Sequence, residues 1–178
     1  MVSSLARVRV PLGFVLAAMV LYLATPHRAS LAVGFPIASV GMVCRGAAAG
    51  VLKKNRALAR NGPYSLTRNP LYFGSFLLAL GFAIMSGSIV AGIILIVPSA
   101  LIYPTVIQNG EAYLRNQFGS EFERFRSRIP CFVPRRLTLR LFESFSLDQY
   151  LANREYNAAA GFAGATAILV LKYLIAGD

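Results

Sequence analysis

The stretch CRGAAAGVLKKNRALARNGPYSLTRNPLYFGSFLLALG, residues 44–81, decides how this chain folds. A basic, polar loop runs straight into an apolar helix. At the junction, Arg68-Asn69-Pro70-Leu71-Tyr72-Phe73-Gly74 places a cation, a cap, a helix-starting proline and a close-packing glycine at one border. Asn69 suits the N-cap because its side-chain oxygen accepts from the first free backbone N–H groups. Pro70 suits the first helical position, where a missing N–H costs nothing. The helix start then presents unpaired N–H groups and partial positive charge beside Arg68, an arrangement that holds a carboxylate or phosphate.

Outward from this junction the chain is apolar. Of its 178 residues 56% are hydrophobic and 14% charged, against about 25% charged in soluble domains. Mean hydropathy is +0.58. Long apolar runs predict an all-α integral membrane protein of one domain, 1–178, with five spans over 10–25, 31–51, 71–87, 89–108 and 157–175. The net charge of +11 follows the same topology. With the N-terminus cytoplasmic, Arg7, Arg9, Lys53, Lys54, Arg56, Arg60, Arg68 and the eight arginines from Arg115 to Arg154 fall inside. Arg28 alone lies outside, and Arg45 and Lys172 lie within spans. The C-terminus is then expected outside. Positive charge arranged this way marks sidedness rather than nucleic-acid binding.

Two arginines before an apolar run imitate a signal peptide, but Thr25-Pro26-His27-Arg28 is a poor cleavage site, so the first span is expected to stay. Cys44 and Cys131 lack CxxC spacing and His27 is the only histidine, so neither a disulfide nor a metal site is expected.

Between spans, Asn61-Gly62-Pro63 signals a turn, and Ser86-Gly87-Ser88 joins the third and fourth spans as a tight hairpin. Pro98 and Pro104 predict a kinked or locally unwound fourth span. Beyond Gln108, Leu114, Phe118, Phe122 and Phe125 form an apolar helical stripe that also carries Glu111. A second amphipathic stretch runs through Leu137, Leu141, Phe145 and Asp148. These elements predict a cytoplasmic helical lid after the fourth span.

The ionisable residues carry alternative readings. Glu111 pairs with Arg115 one turn on, or holds a cationic group of a ligand. Arg45 snorkels to the interface, or marks a site within the membrane. Arg68, Asn69 and Pro70 cap and anchor a helix, or build a site together with Tyr64 and Tyr72. The Phe-rich stripe is core or substrate groove, and Tyr103 and Tyr113 fit an interfacial aromatic belt.

The strings GPYSLTRNPLYFGS and EAYLRNQFGSEFERFRSRIPCFVP resemble the membrane isoprenylcysteine carboxyl methyltransferases and the related phospholipid methyltransferases. That pattern is an Arg-His/Asn-Pro-x-Tyr-x-Gly helix start, then Glu-Glu-x-x-Leu-x-x-x-Phe-Gly and a closing Val/Ile-Pro. The likeness covers 44–134, and Asn-Arg-Glu-Tyr at 153–156 is similar to bacterial members. Two departures stand out. Gly110-Glu111 replaces the Glu pair, leaving Glu111 to take over the cofactor contact, and Asn69 replaces His.

The resemblance implies an S-adenosylmethionine-dependent methyltransferase with its active site at the cytoplasmic face. The cofactor would be enclosed by motifs 56–74 and 109–134, with contacts at Arg56, Ala57, Leu58, Ala59, Tyr64, Asn69, Pro70, Leu71, Tyr72, Gly74 and Glu111. Arg45, Arg68 and Glu111 are the expected catalytic residues, an arginine orienting the carboxylate of a prenylated or lipid-like acceptor. Tyr72 and Glu111 should then share one cavity. Expected partners are that acceptor and membrane lipids, with no metal and no nucleic acid. The alternatives are a phospholipid amine N-methyltransferase, a nicotinamide-dependent lipid reductase, and an inactive membrane scaffold, the last prompted by Gly110.

Overall fold

The computed structural model describes residues 15–53, 57–135 and 141–176. These are helical, with no strand among the described residues. A helical segment at 15–23 (α1) leads to α2 (Arg28–Val51), a 3-10 turn (Gly62–Ser65) and α3 (Pro70–Met85). Then come α4 (Ile89–Phe118), α5 (Ser120–Arg128), α6 (Leu147–Ala152) and α7 (Tyr156–Ala176). Helices α2, α4 and α7 are long and apolar enough to cross a membrane. The expected span at 71–87 corresponds to α3, whose 16 residues rise only about 24 Å. The expected span at 10–25 lies partly outside the described residues.

Helices α2 and α3 form the central pair, and small residues let them touch. Along α2, Ser30, Gly34, Ala38 and Gly41 recur at three- and four-residue spacing and are buried. Facing them, Gly74 and Gly81 of α3 admit the α2 backbone: a Cβ on Gly81 would lie 2.5 Å from the Ala38 nitrogen. Such seams gain dispersion contacts that larger side chains would prevent.

One end of the bundle is tied by polar contacts. Ser30 Oγ donates to the Met85 carbonyl at 3.3 Å, the Thr25 N–H donates to the Ser86 carbonyl at 2.7 Å, and Lys172 Nζ donates to the carbonyls of Leu21 (3.0 Å) and Tyr22 (2.6 Å). Leu169 of α7 packs with Ala24, Ala38 and Met85 beneath the Phe35–Phe162–Phe82 rings.

Helix α4 departs from expectation. It runs unbroken through Pro98 and Pro104 to Phe118, so local unwinding is absent and the fourth span and the start of the Phe stripe belong to one helix of 30 residues. Gly119, at φ 48°, turns the chain into α5, a conformation that L side chains rarely adopt. The second amphipathic stretch is not one helix either. Leu137 lies outside the described residues, 141–144 is a turn, and α6 starts only at Leu147, capped by Ser146 Oγ.

At the opposite end, two returning segments close over α2 and α3. After α5, the Pro130 carbonyl accepts from the Arg68 N–H at 2.9 Å, the Cys131 carbonyl accepts from Thr67 Oγ1 at 3.1 Å, and Phe132 wedges edge-on against Phe73 and Phe76. Around α6, the Ser146 N–H donates to the Gly50 carbonyl and Asn153 Nδ2 donates to those of Ala49 and Leu52, each at 2.9 Å. These bonds satisfy carbonyls that the end of α2 leaves open.

Candidate active site

Between these closures lies a cavity of about 610 Å³, within the ~300–1,000 Å³ range of small-molecule sites. Its walls come from four places: the end of α2, the 57–72 stretch, the last turns of α4 with α5, and the Asn153–Glu155 corner. Tyr72 and Glu111 both line it, as expected.

Pro70 opens α3 one residue earlier than the expected span. Asn69 stands at the N-cap but does not cap with its side chain. Its Nδ2 donates instead to the Cys131 carbonyl at 3.0 Å and to Glu111 Oε1 at 3.3 Å. These two bonds fix the amide, and its Oδ1 takes no N–H from the helix. Arg68 grips Glu111 through Nε (2.8 Å) and Nη2 (3.2 Å), while its Nη1 donates to the carbonyls of Ile129 (2.6 Å) and Arg126 (3.0 Å). Four of the five guanidinium hydrogens are therefore engaged. The side chains of this pair are only 10% and 15% exposed, so it works as a clamp between α3 and α4. Of the two readings of Glu111, the pair with Arg115 is not formed: Arg115 holds Glu123 at 2.6 Å.

Arg45 sits deeper. Its Nε and Nη2 donate to the two Glu155 oxygens at 2.6 and 2.9 Å, and Nη1 donates to Ser75 Oγ. It does not snorkel away from the cavity, which it lines together with Ser75 and Glu155.

Of the remaining expected contacts, Ala57, Leu58, Ala59, Tyr64, Pro70 and Leu71 line the cavity, and Arg56 lies outside the described residues. Gly74 faces α2, where a Cβ would meet the Gly41 carbonyl and the Arg45 Cγ at 2.7 Å. The Phe stripe is both core and cavity wall: Phe122 is fully buried, and with Leu114, Phe118 and Phe125 it lines the cavity across the Gly119 turn. Tyr113 also lines it, and the Tyr103 ring lies 5.7 Å from that of Tyr72. Burial raises the Tyr64 phenol well above its usual range, so it stays neutral. Burial, then the Glu111 charge, raises the Cys131 thiol, whose Sγ lies 3.5 Å from Glu111 Oε1. At Gly110 a Cβ would meet nothing within 4 Å, which leaves open space where the family pattern carries a second Glu.

Sequence reasoning gave no site role to Ser75, nor to Asn153 and Glu155, although the Asn-Arg-Glu-Tyr string at 153–156 carries part of the resemblance. The signal for Glu155 was available: it is one of only seven acids, placed at the head of an apolar helix. Among the described residues no group of His, Cys, Asp and Glu is suited to a metal ion.

The model of the family described as phospholipid methyltransferase matches residues 30–121. The cobalt-zinc-cadmium resistance protein CzcN of Cupriavidus metallidurans is 40% identical over 83 residues, 47% of this chain and 38% of that protein. The nickel-cobalt-cadmium resistance protein NccN of Alcaligenes xylosoxydans xylosoxydans is 39% identical over 94 residues, 53% of this chain and 42% of that protein. The protein-S-isoprenylcysteine O-methyltransferase of Schizosaccharomyces pombe is 31% identical over 81 residues, 46% of this chain and 34% of that protein. The chain thus spans less than half the length of each of these relatives. No solved structure matches it significantly. The family match covers half of the chain, takes in the α2–α3 pair, the helix start at Pro70 and Glu111, and shows that this membrane protein belongs to the phospholipid methyltransferase family.

Proposed function

We propose that the chain is an S-adenosylmethionine-dependent membrane methyltransferase acting on the carboxylate of a prenylated or lipid-like acceptor. The observation that carries this reading is the single cavity joining the α3 start and Glu111 to Arg45. In this reading α1 and α3 complete a five-span domain, and α5 with the 130–135 return forms a cytoplasmic lid.

The residues present fit the methyl donor. The positive end of α3 at Pro70–Tyr72 suits its carboxylate. Leu58, Leu114, Phe118 and Phe122 offer an apolar bed for its adenine, and open space at Gly110 gives it room. When bound, S-adenosylmethionine supplies an electrophilic methyl group on a sulfonium.

The acceptor carboxylate is already anionic, so no residue has to act as a strong base. The chain's work is alignment and exclusion of water. Arg68 is occupied by Glu111 and two carbonyls, which leaves acceptor orientation to Arg45. Arg45 spends three hydrogens on Glu155 and Ser75 and keeps one on each terminal nitrogen, enough for a paired contact with a carboxylate.

A second reading, methylation of a phospholipid amine, is favoured by Glu155, an acid in the same cavity suited to a cationic head. Incubation with methyl-labelled donor, N-acetyl-S-farnesyl-L-cysteine and phosphatidylethanolamine vesicles separates the two. Base-labile label on the farnesylcysteine is expected. Label in the lipid headgroup would shift the assignment to the amine, and label in neither would refute both.

A further inference from the structure

The Arg45–Glu155 pair asks for more explanation than helix anchoring. A guanidinium inside an apolar bundle either reaches for the interface or needs a partner, because an unpaired buried charge is costly. Glu155 is that partner. It is 6% exposed and arrives from a residue 110 positions further along the chain. The approach is built with care. Arg154 just before it adopts φ 54°, a left-handed conformation unfavourable for a residue with a Cβ, and the strain turns the chain from α6 into α7. Asn153 fixes the corner to the end of α2 through the Ala49 and Leu52 carbonyls. On the far side, Ser75 Oγ accepts from Arg45 Nη1 while donating to the Leu71 carbonyl at 2.8 Å, and the bare face of Gly74 makes room for the Arg45 stem. Glu155 lies outside the family-matched residues 30–121, in the Asn-Arg-Glu-Tyr string at 153–156.

We propose that Glu155 is a positioning residue: it holds the Arg45 guanidinium in one orientation so that its two remaining hydrogens receive the acceptor's carboxylate. This deepens the carboxylate reading above and rests on it. Glu155 takes the Nε/Nη2 edge and Ser75 takes one Nη1 hydrogen, so the fork cannot rotate. Glu155 also balances the Arg45 charge while the cavity is empty of acceptor, and it touches the acceptor only through Arg45. An ion pair that merely fastens α7 to α2 would not distinguish an acid from its ester.

The test is calorimetric affinity for N-acetyl-S-farnesyl-L-cysteine and for its methyl ester, without methyl donor, using the full chain in lipid nanodiscs. The wild type is expected to prefer the acid by about tenfold or more, as paired charge-assisted hydrogen bonds require. Glu155→Gln should reduce that preference to about threefold or less, with ester and S-adenosylmethionine affinities within about twofold of wild type. Arg45→Gln should do the same. The double variant should lose no more than either single, because the two act as one unit. Full preference retained in Glu155→Gln, or losses that multiply in the double variant, would overturn the proposal. If Glu155→Gln no longer binds the ester, Glu155→Asp decides: reduced preference supports the role and full preference overturns it. A wild type that binds acid and ester alike refutes the carboxylate reading itself, and a wild type that fails to bind S-adenosylmethionine refutes the donor site.

Discussion

If the Arg68–Glu111 clamp joins α3 to α4, cutting it from either side should cost nearly the same as cutting it from both. The pair's side chains are 10% and 15% exposed, far from the surface regime where ion pairs contribute about 0–1 kcal/mol. Removing one partner of a fully buried pair costs about 3–5 kcal/mol, chiefly because the other charge is stranded. With residual exposure at this site, Glu111→Ala should destabilise by about 2–3 kcal/mol. Arg68→Ala also frees the Arg126 and Ile129 carbonyls, and should cost about 3–4 kcal/mol. Once Arg68 is gone, Glu111 has lost its main partner. The double variant should therefore stay near about 3–4 kcal/mol, a coupling of about 2 kcal/mol. Denaturant unfolding in detergent, followed by circular dichroism, reads all four corners of the cycle. A double variant whose loss equals the sum of the singles would show that the two side chains do not act on each other.

The glycines give a sharper contrast. Gly81→Ala pushes a methyl to within 2.5 Å of the Ala38 backbone and should cost about 1–3 kcal/mol by prying α2 from α3. Gly110→Glu enters open space, restores the family's acidic pair, and should leave unfolding unchanged with S-adenosylmethionine affinity equal or tighter. Equal destabilisation of the two variants in thermal unfolding would contradict this packing. Cys131 supplies a test by pH. Burial and the Glu111 carboxylate raise its thiol, so maleimide labelling should begin only at a more alkaline pH than for a free cysteine. Glu111→Gln removes the neighbouring negative charge, so the midpoint should move to lower pH. An unmoved midpoint would separate Cys131 from Glu111.

What the sequence made legible was mostly local chemistry. Pro70 begins α3 because proline tolerates the first helical position and little else in a helix, a constraint visible without tertiary structure. The Leu114–Phe125 stripe was readable from its spacing, and it survives a break at Gly119 because both helices face one cavity. Asn69 takes the N-cap position read for it, but its Nδ2 is tied to Glu111 and Cys131 and its side chain makes no cap bond to the helix. The fourth span was expected to be kinked or locally unwound at its prolines, and the unwinding is absent. Its prolines are carried within a continuous α4, and polarity beyond Gln108 does not end a helix that projects past the apolar zone. Arg45 was recognised as unusual, but its partner was not. An ion pair closed across 110 positions leaves no periodic trace, and only folding brings the Asn153–Glu155 corner to the end of α2.

In the proposed reading, the cavity between the α3 start and the α4–α5 turn holds the methyl donor. Isothermal titration of S-adenosylmethionine into the purified full chain in detergent tests it most directly. One saturable site is expected, with affinity reduced about tenfold or more in Arg68→Ala and in Tyr72→Ala. Absence of binding by the folded wild type, or wild-type affinity in both variants, would contradict it.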